Sequence, residues 1–167
     1  MLNLKIRENR KMEKWEIEKI IYELVEIKDK ILYLNTIVET TTGTTLDKGT
    51  IITLFNDFFE EYKTQLHNLF LLLDSKELDN FKNNIIPAIK KDSNITDVEL
   101  EELEKMVSYY ELKPLYYGDG QNGGYELVYS LFDFNRFYTL GPKLANFMWE
   151  LANEILELIT ELEKENN

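Results

Sequence analysis

The stretch Ile51–Leu73 leaves this chain few choices of fold. Ile51, Phe55, Phe58, Tyr62, Leu66, Leu69 and Leu73 follow one another at steps of three or four residues, the period of one helical face. Ile52, Phe59 and Phe70 widen the stripe, so neighbours must cover this helix on more than one side. Only Asp57, Glu60, Glu61, Lys63 and His67 interrupt it with charge or a titratable group. Such a helix belongs inside a bundle.

Two heptad seams supply its neighbours. Ile17, Ile20, Leu24, Ile27, Ile31, Leu34 and Val38 form the first, in a helix expected from Lys11 to Glu39. Trp15 precedes that seam and is expected to pack in the core. Leu144, Met148, Leu151, Ile155, Leu158 and Leu162 form the second. Its helix is expected to open at Gly141-Pro142, where proline suits the first turn. Glutamates at 150, 154, 157, 161, 163 and 165 line its outer surface. Acid near a helix C-terminus opposes the dipole, so fraying is expected after about Leu162. The three helices can bury one another as an antiparallel bundle or across a homodimer.

The connections read more finely. The segment Thr40–Thr50, rich in β-branched Thr and Gly, breaks the helical pattern. It lacks the G-x-x-x-x-G-K-[ST] spacing of a phosphate-binding loop. Asp74 or Ser75 caps a short helix holding Leu78, Phe81, Ile85 and Ile86, which Pro87 limits or kinks. Thr96 and Glu99 form a capping-box pattern that opens a further helix. Residues 114–132 change character: PLYY and YELVYSLF flank GDGQNGG, the pattern of a β-hairpin with a long tip. Residues 109–138 hold seven of the ten tyrosines, making this the most distinctive surface candidate. The expected organisation is one mainly α domain over residues 1–167. It comprises a helical bundle of three long amphipathic helices plus shorter ones, with one β-hairpin at 114–132. Residues 1–10 form a flexible basic start and 163–167 a frayed tail.

Charge narrows the partners. Thirty-one acidic residues against 19 basic ones give a net charge of −12. That balance argues against binding a phosphate backbone and favours a protein partner with a basic surface. Without cysteine there are no disulfides, thiolate metal sites or cysteine nucleophiles. No apolar run reaches the roughly 18 residues of a membrane span. The basic start has no apolar core behind it, unlike a secretory signal, so a cytoplasmic setting and no membrane are expected. Lys outnumbers Arg 16 to 3 and there are 15 Asn, which points to AT-rich coding.

Catalytic constellations are sparse. One histidine, His67, cannot supply the paired Glu-x-x-His of a di-iron bundle or a serine triad with its elbow; it reads as a partly buried polar residue. Glu23-x-x-Glu26-x-x-Asp29 is superficially similar to the magnesium-binding E-x-x-E and E-x-x-D of all-α nucleotide pyrophosphohydrolases. That resemblance implies a magnesium-dependent enzyme. In the family, however, the second pair lies on a following helix, whereas here it shares one helix and one Glu. A solvated acidic face is the expected reading, with no enzyme activity and no cofactor.

The order of helices near 51–73, 76–90 and 97–112, then a hairpin, then a long helix resembles a winged-helix regulator. The resemblance implies DNA binding and a dimerising C-terminal helix. The would-be recognition helix carries Asp97 and five glutamates against Lys105 and Lys113, a face that phosphates repel. The expectation is therefore a non-catalytic, acidic protein-binding module, with DNA-binding regulator as the alternative. It would be an inhibitor or adaptor of the kind phages and mobile elements encode against host nucleic-acid-handling or defence machinery. Its expected interface is Tyr116, Tyr117, Asp119, Gln121, Asn122 and Tyr125, since tyrosine is enriched at binding hot spots. The acidic ridge Glu99, Glu101, Glu102 and Glu104 is the second expected contact surface.

Overall fold

The computed structural model describes residues 12–43, 46–108, 112–115, 124–127 and 133–166. The chain is mainly helical. Three long helices, α1 (Lys14–Thr42), α2 (Lys48–Leu72) and α6 (Phe134–Asn166), form the bundle. Between α2 and α6 lie α3 (Ser75–Asn80), a π turn (Phe81–Ile85), α4 (Ile86–Asp92) and α5 (Asp97–Ser108).

Both heptad seams are buried within the chain. Leu24, Ile27, Ile31, Leu34 and Val38 of α1 meet Leu144, Met148, Leu151, Ile155 and Leu162 of α6 in one contiguous core. Asn35 donates a buried hydrogen bond to the Ala145 carbonyl, and Thr42 lies against Gly141. As α1 ascends α6 descends, so the two are antiparallel. Gly141 and Ala145 lie on the side of α6 facing α1, where small side chains let the helices approach closely.

On the other flank α2 lays Phe55 edge-on to Phe137, with ring centres 4.7 Å apart, and Tyr62 edge-on to Phe147 at 6.4 Å. Contacts advancing together along both chains make α2 parallel to α6. Phe55 also stacks on Phe58 and meets Phe59 edge-on. Edge-to-face pairs add about 0.5–1.5 kcal/mol beyond area burial. This aromatic cluster explains why α2 is apolar on more than one side.

Local chemistry sets the helix starts. Asp47 accepts the Thr50 backbone N–H at 3.0 Å and its hydroxyl at 2.7 Å, and Asp74 accepts the Glu77 N–H at 2.8 Å. Thr96 and Glu99 close a reciprocal capping box at 3.0 and 3.1 Å. After α4, Asn94 takes the left-handed conformation at φ 57°. Asn94 then bonds to the Lys91 carbonyl and Ile95 to the Lys90 carbonyl. This is the Schellman ending that Asn tolerates nearly as well as Gly.

Several boundaries differ from the sequence pattern. Thr40–Thr42 remain helical because the Thr41 and Thr42 hydroxyls bond back to the Val38 carbonyl, which offsets their weak helix propensity. Helix α1 therefore runs on to Thr42, and α2 starts at Lys48. α6 starts at Phe134 rather than Gly141-Pro142, so Pro142 sits inside a helix. An internal proline costs about 3 kcal/mol, but Phe137, Leu140 and Leu144 carry one buried face across it. The same helix continues to Asn166, past the expected end at Leu162.

Helical structure continues past Pro87, from Ser75 through the π turn to Asp92. The π turn lets Ile86 N–H bond to the Phe81 carbonyl five residues back, and Pro87 falls in the first turn of α4. A missing donor is harmless there. Trp15 is 64% exposed rather than in the core, and His67 is exposed rather than partly buried.

Beyond α5, β1 (Leu112–Leu115) and β2 (Gly124–Leu127) pair antiparallel, with Leu112 opposite Leu127 and Leu115 opposite Gly124. Residues 116–123 and 128–132 of the expected hairpin lie outside the described residues. No helix among the described residues is long and apolar enough to cross a membrane.

Candidate functional site: an acidic groove and an aromatic face on the first helix

The seam of α1 occupies one side of the helix, so every residue half a turn away faces outward. Trp15, Tyr22, Glu26, Asp29 and Tyr33 are among them, at steps of seven, four, three and four. Three of them are large aromatics left largely in water, with Tyr22 65% and Tyr33 62% exposed. A lone exposed aromatic is ordinary; three on one side of a helix give that side an unusual share of rigid aromatic surface.

That face borders a groove of about 930 Å³ between α1 and α2. The α1 bank carries Glu23, Glu26, Asp29, Lys30 and Tyr33; the α2 bank carries Gln65, Asn68 and Leu71. Ile27 and Leu72 line it between them. Three carboxylates face one ammonium, and that ammonium leans across to Glu61 at 3.8 Å. Asp29 meets its neighbour Lys28 at 3.1 Å, while Glu23 and Glu26 make no ion pair among the described residues. Leu71 is 62% exposed at the far end. The site therefore offers anionic acceptors beside apolar surface.

The sequence candidates fall elsewhere. Tyr116, Tyr117, Asp119, Gln121 and Asn122 lie outside the described residues, and Tyr125 stands in β2 opposite Pro114. Of the acidic ridge, Glu99 bonds Lys143 at 2.9 Å and Glu102 takes the Arg136 Nε–H at 2.9 and 3.1 Å. Glu104 pairs with Lys63. The Lys143 ammonium holds the Glu99 carboxyl below its usual range, against a smaller upward push from burial. These carboxylates tie α5 to α6 and α2; Glu101 alone of the four is exposed rather than half-buried.

Glu23, Glu26 and Asp29 do come together on one groove. Among the described residues, however, no group of three or more His, Asp or Glu side chains is arranged to hold a metal ion. The α1 aromatic face was missed by counting tyrosines along the chain. Its signal was their offset of half a turn from the seam. No protein-family model matches the chain, and no curated protein or solved structure is significantly similar to it.

Proposed function

We propose that this chain is a non-catalytic protein-binding module that acts as an inhibitor or adaptor. Its docking face is the outer side of α1 together with the acidic groove that α1 shares with α2. The observation that carries this reading is the alignment of Trp15, Tyr22 and Tyr33 beside Glu23, Glu26 and Asp29 on one surface. Rigid aromatics supply contact area at low entropic cost. Flanking carboxylates steer a basic partner, consistent with a net charge of −12. The acidic ridge of α5 is a weaker candidate because three of its four carboxylates already hold the molecule together.

The test is affinity capture from lysate at low salt, with and without nuclease, using the full chain and Tyr22→Ser/Tyr33→Ser. A protein that survives nuclease and is lost with the double variant supports the reading. Recovery of duplex DNA, with proteins lost on nuclease treatment, overturns it in favour of a DNA-binding regulator.

A further inference from the structure

We infer that the α1/α2 groove receives a basic amphipathic helix, about three turns long, from another protein. The inference rests on the protein-binding reading above and adds the conformation and orientation of what binds. Length comes first: from Glu23 to Tyr33 the α1 bank runs ten residues, or about 15 Å at 1.5 Å per residue. Conformation follows from what the banks lack. Both are helices whose interior N–H and C=O groups bond within themselves, so there is no strand edge to pair with. An extended peptide would leave its own backbone groups without partners there, whereas a helix satisfies them internally.

Orientation follows from charge. The α1 bank is net anionic, with Glu23, Glu26 and Asp29 against Lys30, whose ammonium leans away to Glu61 at 3.8 Å, while the α2 bank presents the neutral amides Gln65 and Asn68. Gln65 is only 8% exposed, and its amide nitrogen is taken by Glu61 at 2.7 Å. Its amide oxygen accepts nothing among the described residues, leaving an acceptor for a donor brought by the partner. Lys or Arg of the incoming helix therefore lies toward α1. Its apolar residues lie on Ile27 and Leu72 and are flanked by Tyr33 at one end and Leu71 at the other.

The test uses two fluorescein-labelled peptides of Leu, Ala and Lys, about 14 residues each and identical in composition. One places its lysines on one helical flank; the other is shuffled to destroy the period. Anisotropy titrations of the full chain at low salt should give about tenfold tighter binding of the ordered peptide. Glu26→Lys/Asp29→Lys, both exposed positions, should weaken it by about tenfold or more. Glu157→Lys/Glu163→Lys on α6, an equal change in net charge, should shift it by no more than about twofold. Leu71→Ala should weaken the ordered peptide without affecting the shuffled one.

Equal binding of both peptides, or equal loss with the α6 variant, overturns the inference in favour of diffuse attraction to an acidic surface. Self-association of the chain that Glu26→Lys/Asp29→Lys abolishes also overturns it, by making a second copy the occupant. If neither peptide binds while the chain still captures a nuclease-resistant protein, the helix inference falls and the protein-binding reading stands. If the ordered peptide binds as described but lysate yields only nucleic acid, the groove chemistry holds and the protein-binding reading falls.

Discussion

Gly141 faces α1 so closely that an added Cβ would collide with the Thr42 methyl group. Thr42 is held in place by its hydroxyl bonds to the Val38 and Glu39 carbonyls. Gly141→Ala should therefore cost about 1–3 kcal/mol of overpacking, against about 1 kcal/mol recovered from better helix propensity. Thr42→Ser removes the obstructing methyl while keeping the hydroxyl. In Gly141→Ala/Thr42→Ser the loss should vanish, giving a coupling of about 1 kcal/mol or more in urea unfolding. The identity of Gly141 was plain from the sequence, but its reason was not. Next to Pro142 it reads as a helix start, and only the approach of α1 shows that it is a packing residue. Trp15 fails in the same way: its apolar ring suggests the core, and its position relative to Ile17 and Leu24 places it outside.

At the level of elements, periodicity and capping chemistry were legible because each is local. The two seams, the Asp74 cap and the Thr96–Glu99 box depend on residues within a few positions of one another. What overrode local rules was burial: the Phe137–Leu144 face carries α6 through Pro142, and a π turn absorbs Pro87. The role of α5 was legible only in part, because its acidic face reads as a contact surface for a partner. In the molecule that face is occupied by Arg136, Lys63 and Lys143. Arg136→Gln should consequently loosen α5 selectively. Hydrogen exchange in 97–108 should rise severalfold, with α1 and the centre of α6 unchanged. Uniform acceleration throughout the bundle would show that Arg136 supports the whole core instead.

The whole molecule carries a charge imbalance that its fold only partly relieves. Net charge far from neutrality destabilises a compact state by self-repulsion. Raising NaCl from about 20 mM to about 300 mM shortens the screening length severalfold, so the melting temperature should rise. A fall would mean that the α5 ion pairs outweigh the repulsion. Acid should act in the same direction at first. Burial, then Glu157 and Glu150, push the Glu154 carboxyl above its usual range. The folded state thus binds that proton more tightly than the unfolded one, and stability rises as pH falls through the raised value toward the ordinary carboxylate range. Glu99 has the opposite sign: its lowered value contributes stability above the ordinary carboxylate range, which is lost on further acidification. Melting temperature should therefore peak on the acid side of neutrality. Glu154→Gln should raise it at pH 7 and do little near about pH 4. The hydrogen bond from Asn35 to Ala145 spans 110 positions in sequence, so the α1 seam meets its complement only once α6 has been made. A ribosome adds roughly 5–20 residues per second, so α1 is complete for about 5–20 seconds before its complement is made. During that interval the nascent protein displays an uncovered Ile- and Leu-rich stripe. Its yield in a cell should depend on chaperones that shield such a stripe, even where the finished molecule is stable.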